Sequence, residues 1–176
     1  RGAMAPKERG LATPAPPVLE FDAEGNLVHS WGDRAIMAKT QHGCFIDKEG
    51  NFWTAGNNDG MVQKYTHDGS KLLLQIGKKG GMDSSDGTET GTGLNASHTS
   101  LFKPSQVAVD PGNGDIYVSD GYGNKRVVVF DRQGKYLRQW GRQATQAETD
   151  AGVGGVFLSP VHCVLIGNDG LVYVCD

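Results

Sequence analysis

The chain has 176 residues, of which 38% are hydrophobic and 21% are charged, a composition that suits one domain with a buried core and excludes a disordered chain. Its formal net charge of −3 argues against nucleic acid or an anionic membrane as the main partner. No apolar run approaches the roughly 20 residues that a membrane helix needs, and residues 1–17 lack the apolar core of a signal peptide.

Four segments repeat one plan along the chain, and this repetition is the strongest structural signal in the sequence. In the third segment, short apolar runs (QVAVD, DIYVSD, RVVVFD and YLRQW) are separated by the clusters PGNG, GYGN and RQGK. Such runs are typical of antiparallel strands joined by hairpins. Four strands in roughly 40 residues are typical of one blade of a β-propeller.

The predicted fold is therefore all-β, a β-propeller of four-stranded antiparallel blades. A β-sandwich would not explain why whole units repeat. Ring closure takes about four to eight blades, and the chain supplies about three blade-equivalents, so it looks like part of a larger ring. The predicted organisation is an outer half blade (17–32), a blade (42–77), a loop insertion (78–103), a blade (104–141), a loop (142–159) and an inner half blade (160–176). We expect both loops to lie on the surface, mobile or facing a ligand.

Large apolar residues recur at equivalent positions of the third and fourth strands. In stacked repeats, equivalent apolar positions are most simply explained by packing between neighbouring units. The predicted inter-blade core therefore contains Phe21, Tyr65 and Phe130 from third strands and Trp31, Ile76 and Trp140 from fourth strands.

The chain contains three cysteines, Cys44, Cys163 and Cys175. An odd number excludes complete pairing within one chain. Cys163 and Cys175 could face each other across a hairpin, so one disulfide is an open alternative. The favoured interpretation is that all three are buried free thiols on strands.

Three stretches carry a resemblance to a known family: HGCFIDKEGNFW, FKPSQVAVDPGNGDIYVSDGYGNKRVVVFDRQGKYLRQWG and SPVHCVLIGNDGLVYVCD. They resemble NHL-repeat six-bladed propellers and, more narrowly, the peptidyl-α-hydroxyglycine α-amidating lyase (peptidylamidoglycolate lyase) branch with its bacterial relatives. The resemblance implies cleavage of a C-terminal α-hydroxyglycine into a peptide amide and glyoxylate. It also implies a catalytic zinc on three histidines in the central channel and a structural calcium nearby.

Site residues follow from this resemblance position by position. His42 and His162 match two of the zinc ligands, and Tyr122 matches the catalytic tyrosine. The carbonyl of Cys44 matches a ligand of the structural calcium. Arg1 matches an arginine of the family that lies in an Arg-Gly pair before a proline-rich entry to the repeats.

The repeat register gives separate support for the two histidines. His42 and His162 occupy the same place at the head of a first strand, two units apart, and the unit between them has Ser105 there. Ligands from alternate blades suit a metal on the axis of a six-bladed ring, and the third histidine is expected beyond Asp176. Taken without the resemblance, two single histidines on strands are more often structural than metal-binding.

Tyr122 is unusual because it stands between Gly121 and Gly123 in a turn, where turn chemistry asks for Gly, Asn or Asp. The preceding unit has Asn58 at this place, so Tyr122 is specific to its blade. A structural alternative is an aromatic cap over the edge of the blade.

Charged residues flank this turn. Asp120 ends the strand before it, and we expect its carboxylate to accept hydrogen bonds from turn amides. Lys125 and Arg126 follow the turn without forming an extended basic stripe, and we expect both side chains to be solvated.

The resulting functional hypothesis is a zinc-dependent carbon–nitrogen lyase acting on a peptide or small molecule in the central channel. The expected partners include no nucleic acid and no membrane span, and the complete ring is expected to be a monomer. The 176 residues alone are expected to be inactive, and an extracytoplasmic location is expected rather than a cytoplasmic one. The alternative is a noncatalytic NHL propeller that binds peptide, protein or glycan.

Overall fold

A computed structural model describes residues 14–84, 94–158 and 160–176. Almost all regular structure in these residues is β, as the sequence predicts. The strands are β1 (Val18–Phe21), β2 (Leu27–Trp31), β3 (Gln41–Ile46), β4 (Phe52–Gly56), β5 (Met61–Tyr65), β6 (Leu72–Gly77), β7 (Gln106–Val109), β8 (Ile116–Asp120), β9 (Arg126–Phe130), β10 (Tyr136–Trp140), β11 (Cys163–Ile166) and β12 (Val172–Cys175).

The strands form four antiparallel sheets that follow the repeats. Two are four-stranded, with the orders β3-β4-β5-β6 and β7-β8-β9-β10. Two are two-stranded, β1-β2 before them and β11-β12 after them. Each four-stranded sheet connects its strands in sequence order through tight turns, as expected for a propeller blade. The prediction of propeller-type four-stranded blades is confirmed.

Apolar side chains fill the space between each sheet and the next. The largest cluster joins Trp53 and Val62 of one four-stranded sheet to Val118 and Phe130 of the other. A second joins β7–β10 to β11–β12, and a third joins β1–β2 to β3–β6 through Trp31. The sheets therefore stack in chain order, and their first strands β3, β7 and β11 lie next to one another.

The predicted inter-blade core is correct for most of its members and wrong for Phe21. Tyr65, Phe130, Trp31 and Ile76 are buried and Trp140 is half-buried, but Phe21 is 58% exposed. Phe21 belongs to β1, and among the described residues the β1–β2 sheet packs on one neighbouring sheet only. The repeat register predicts which positions can be buried. A side chain at such a position is buried only where a neighbouring sheet packs against it.

The segments between units contain more order than the sequence predicts. In 142–159, Gln146–Asp150 form a short helix, α1. Thr145 caps it, since its side chain accepts a hydrogen bond from the Glu148 amide and the Glu148 carboxylate accepts one from the Thr145 amide. In 78–103, Leu101 is fully buried. Residues 85–93, the centre of that predicted loop, lie outside the described residues.

The cysteine prediction is wrong in two respects. Cys163 and Cys175 form a disulfide, because they are directly opposed in the β11–β12 register with their Cα atoms 5.0 Å apart. Cys44 is a free thiol but it is exposed on β3. The expected extracytoplasmic location stays a prediction.

The length and polarity of the helices show whether any of them could cross a membrane. Across 14–84, 94–158 and 160–176, the helices are too short and too polar to cross a bilayer.

Tyr65 provides a test of packing between the first two sheets. Its ring is buried against Trp31, and its hydroxyl has no hydrogen-bond partner among the described residues. Burial, together with the Asp33 carboxylate, raises the pKa of Tyr65 to about 12. An unfolded chain has a tyrosine pKa of about 10.

The raised pKa predicts a specific loss of stability in alkali. The folded state holds the Tyr65 proton more tightly, so this contribution is complete below pH 10 and disappears as the pH rises towards 12. In Tyr65→Phe, the free energy of unfolding should therefore fall less between pH 10 and 12 than in the wild type, as measured by urea unfolding. Parallel curves for the two proteins over this range would show that the phenol is not held neutral.

Candidate active site

Three of the residues singled out in the sequence lie together in the structure. His42 is in β3, Tyr122 is in the turn between β8 and β9, and His162 directly precedes β11. The ring centroids are 5.0 Å apart for His42 and His162, 5.3 Å for His42 and Tyr122, and 5.6 Å for Tyr122 and His162. Three different sheets thus place one aromatic side chain each at a common point.

The His42 ring is oriented by a neighbouring strand. Its Nδ1 lies 2.9 Å from the carbonyl oxygen of Ser105. A carbonyl only accepts hydrogen bonds, so Nδ1 carries the proton and donates it, which leaves the lone pair of Nε2 available. Histidine ligands of metals are commonly held in this way by an acceptor on the far nitrogen.

Ser105 connects the two segments that carry the histidines. Its carbonyl also accepts a hydrogen bond from the Gly43 amide at 2.7 Å, and its hydroxyl donates to the Val161 carbonyl at 2.7 Å. Ser105 is fully buried. The serine that replaces histidine in the intervening unit therefore ties the residues beside His42 and His162 into one structure.

The two glycines around Tyr122 are required by close packing. A Cβ on Gly121 would lie 2.3 Å from the backbone of Val161, and a Cβ on Gly123 would lie 2.2 Å from the Phe102 ring. Neither glycine has a positive φ, so turn conformation is not the reason for their presence. Tyr122 is thus the position of the three with room for a side chain, and it is 40% exposed.

The backbone beneath Tyr122 is held in a conformation uncommon for its residue type. The Tyr122 amide donates to the carbonyl of Lys103 at 3.3 Å, and Lys103 has φ of 58°, in the left-handed region. A non-glycine residue in the left-handed region raises the energy of the folded state unless its surroundings hold it there, and such residues concentrate at functional sites. Nearby, the Lys125 ammonium donates to the Gly121 carbonyl at 2.9 Å, and burial lowers the pKa of Lys125 against the opposing effect of Asp176.

Arg126 overturns the expectation of a solvated strand entry, because its side chain is fully buried. Its Nε donates to Asp120 at 2.9 Å, and its Nη2 lies 3.2 Å from Asp83. Its remaining N–H groups donate to the Ser97 carbonyl, the Gln139 side chain and the Ser100 carbonyl.

Asp120 and Asn124 complete this buried network under the Tyr122 turn. Asp120 accepts hydrogen bonds from the Asn124 side chain at 2.7 Å and from the Phe102 amide at 2.8 Å. Asp120 was expected to accept hydrogen bonds from turn amides, but it also accepts them from the side chains of Asn124 and Arg126. Burial raises the pKa of Asp120, and Arg126 with these hydrogen bonds acts in the opposite direction.

His42 and His162 are the candidate metal ligands. Imidazoles on one tetrahedral zinc, with Zn–N of about 2.0–2.1 Å, have centroids about 5 Å apart, and His42 and His162 match this at 5.0 Å. An edge-to-face ring contact has a similar spacing. In the described part of the chain, no three His, Cys, Asp or Glu side chains converge as a metal site.

Cys44 and Arg1 are the other two site residues predicted from the sequence. Cys44 lies on β3 two residues after His42, and its proposed calcium ligand is its backbone carbonyl. Arg1 falls outside the described residues. Sequence reasoning missed the roles of Ser105 and Arg126, although the serine at a repeat position otherwise held by histidine was a usable signal.

Comparison with known sequences shows which proteins the chain is similar to. The NHL repeat model matches residues 103–130. The chain is 32% identical over 107 residues to the rat peptidylglycine alpha-amidating monooxygenase, covering 59% of the chain and 10% of that protein. It is 30% identical over 135 residues to a probable peptidyl-alpha-hydroxyglycine alpha-amidating lyase of Caenorhabditis elegans, covering 77% and 33%. The chain thus spans a third or less of the length of these relatives.

Solved structures show the same fold at low sequence identity. A Bacteroides caccae protein of unknown function matches 89% of the chain with 47% of its own, at 18% identity and a TM-score of 0.52. A catalytically inactive virginiamycin B lyase from Staphylococcus aureus, solved with quinupristin, matches 88% with 40%, at 17% identity and a TM-score of 0.50. The chain therefore contains an NHL repeat and has a β-propeller-type fold, and its sequence is similar to proteins named as peptidyl-α-hydroxyglycine α-amidating lyases.

Proposed function

We propose that this chain contributes His42, His162 and Tyr122 to the site of a zinc-dependent lyase that converts a peptidyl-α-hydroxyglycine into a peptide amide and glyoxylate. The observation that carries the proposal is the convergence of these side chains from three sheets, with ring centroids 5.0 to 5.6 Å apart. Relatives named as amidating lyases support this reaction class.

The chain's residues have distinct roles in this proposal. His42 and His162 hold the metal through ring nitrogens, and the Ser105 carbonyl keeps the Nε2 of His42 directed away from the backbone. A bound Zn²⁺ would supply Lewis-acid polarisation of the substrate hydroxyl. A third ligand comes from sequence beyond Asp176, as in the register of alternate blades.

Tyr122 handles the proton in the bond-breaking step. As the phenolate, Tyr122 accepts the proton of the substrate hydroxyl, the O–H electron pair forms the C=O of glyoxylate, and the C–N bond breaks. The resulting Tyr122 phenol returns this proton to the departing nitrogen, so the products are the amide and glyoxylate with no net gain or loss of protons. The position of Tyr122, in ring contact with both histidines, supports this role.

Two assignments depend on the resemblance alone. We assign the Cys44 carbonyl to a structural calcium and Arg1 to the carboxylate of the substrate. An arginine suits that task because its guanidinium binds a carboxylate through two parallel hydrogen bonds.

Zinc binding tests the proposal independently of catalysis. His42→Ala and His162→Ala should each weaken zinc binding by at least the roughly 10- to 100-fold that loss of an outer-shell partner costs. The measurement is zinc affinity of the purified protein by competition with a chromophoric chelator. His67→Ala is the matched control, because His67 is exposed in an outer hairpin where its ring bonds the Gly50 carbonyl.

The outcomes separate the lyase from its alternative. Equal zinc affinity in the wild type and in both site variants would overturn the metal assignment. If this chain, expressed with any sequence that follows it in its gene, bound zinc through His42 and His162 but released no glyoxylate, the result would instead favour a noncatalytic NHL propeller that binds a peptide, protein or glycan.

A further inference from the structure

A cavity of about 700 Å³ opens directly beside His42. The proline-rich segment Pro14–Pro17 forms one wall, and Arg34, Lys39 and Gln41 line the others. Its lining carries two cationic side chains and no carboxylate among the described residues. A volume in the range of about 300–1,000 Å³ is typical of sites for small molecules or peptide side chains.

Arg34 is held on a firmly anchored loop. The Asp33 carbonyl accepts hydrogen bonds from the amides of Ile36 and Met37. From the other side, the Lys79 ammonium donates to the carbonyls of Arg34, Ala35 and Met37 at 3.2, 2.9 and 2.7 Å. The position of Arg34 is therefore set by contacts that do not use its guanidinium.

The guanidinium of Arg34 keeps most of its hydrogen-bonding capacity. Its Nη2 donates to the carbonyl of Ala15, across the cavity wall. Arginine has five N–H donors, so the remaining donors are available to a ligand. A planar fork of this kind suits a carboxylate.

Lys39 adds a second charge in the same cavity. Its backbone amide is fixed by the Asp59 carboxylate at 2.6 Å. Its ammonium has no hydrogen bond or salt bridge to any residue within the described ranges. Two cations in a concave wall without a facing carboxylate concentrate anions there.

We propose that this cavity is a carboxylate subsite that selects peptides with an acidic side chain beside the reacting terminal residue. The inference rests on the proposed function, since it takes His42 as the reacting end of the substrate path. Arg34 is the primary specificity residue, and Lys39 increases the positive electrostatic potential in the cavity. A neutral side chain in the same place would leave both cations unpaired.

Two unreactive peptides test the subsite without turnover: acetyl-Tyr-Val-Glu-Gly and acetyl-Tyr-Val-Gln-Gly. Their dissociation constants are measured on the purified protein by isothermal titration, together with those of the same peptides carrying a C-terminal amide. We expect the dissociation constant of the Glu peptide to be lower than that of the Gln peptide by about tenfold or more, in both the free-acid and the amide series. A difference between the free-acid and amide series alone would assign the cavity to the terminal carboxylate and overturn the proposal.

Charge-matched double variants complete the test. In Arg34→Gln/Lys39→Gln, the Glu-over-Gln preference should fall below about twofold. In Lys71→Gln/Lys135→Gln the preference should persist, because these exposed lysines lie in hairpins at the opposite end of the strands. Equal preference in the two double variants, or equal binding of Glu and Gln peptides to the wild type, would overturn the subsite. Glyoxylate release is measured separately, so loss of the lyase proposal and loss of the subsite give different results.

Discussion

Replacing Tyr122 by phenylalanine should lower kcat for glyoxylate release from an α-hydroxyglycine peptide by about 10²- to 10⁴-fold, the usual effect of losing a general acid–base group. The phenylalanine ring keeps the contacts with His42 and His162, whose centroids lie 5.3 and 5.6 Å from that of Tyr122. Zinc affinity and KM should therefore stay within about twofold of the wild type. Because the proposal takes a third ligand from beyond Asp176, the assay uses this chain together with any sequence that follows it in its gene.

Tyr173→Phe is the matched control for this substitution. Tyr173 has a similar exposure, 51% against 40% for Tyr122, but it lies on β12, where its hydroxyl donates to Asp169. It should leave kcat unchanged within about twofold, since surface substitutions away from a site have small effects. Equal kcat for wild type and Tyr122→Phe would end the assignment of a proton-transfer role to Tyr122.

Local features of the sequence were sufficient to predict the fold. Strand alternation and turn clusters depend on neighbouring residues, so the four runs of residues 104–141 correspond to β7–β10. Repeat register was also informative for the site, because equivalent positions of stacked units project towards the same axis. It is this register that brings His42 and His162 into contact. Their roles as metal ligands stay predictions.

Features that depend on distant partners could not be predicted in this way. Gly121 and Gly123 resembled turn residues, but they are fixed by Val161 and Phe102, which are remote in the sequence. The Cys163–Cys175 disulfide needed the strand register, which a one-residue shift would have abolished. The helix after Thr145 was missed because its capping box is short and lies in a segment rich in Gly, Gln and Thr.

Arg126 is the clearest case, since a charged pair at a strand entry is usually solvated. Its burial depends on Asp83, Ser97 and Gln139, none of which the local sequence identifies as partners. The result is an arginine without exposed surface whose N–H groups all meet acceptors. A buried charge of this kind persists only when the surrounding groups are arranged for it.

This network leads to the largest predicted effect on stability. Arg126→Met should lower the free energy of unfolding by about 3–5 kcal/mol, because it leaves Asp120 and Asp83 buried without a cation. The measurement is urea unfolding with linear extrapolation. Arg132→Met is the matched control, since Arg132 is exposed in a hairpin, and it should change stability by no more than about 0.5 kcal/mol.

A milder variant keeps the test informative if Arg126→Met does not fold. Lysine in place of Arg126 retains the charge but cannot donate hydrogen bonds to all the acceptors that surround the five N–H groups of arginine. Arg126→Lys should therefore still lower the free energy of unfolding by about 1–3 kcal/mol. If both variants had the same free energy of unfolding as the Arg132→Met control, the buried ion pair would make no contribution to stability. If the predicted losses are found, the buried ion pair stabilises the turn that carries Tyr122, because Asp120 and Asn124 join that turn to Arg126. The position of the Tyr122 phenol would then depend on an ion pair beneath it, and if Tyr122 has the proposed role, Arg126→Lys should lower kcat for glyoxylate release more than Arg132→Lys does.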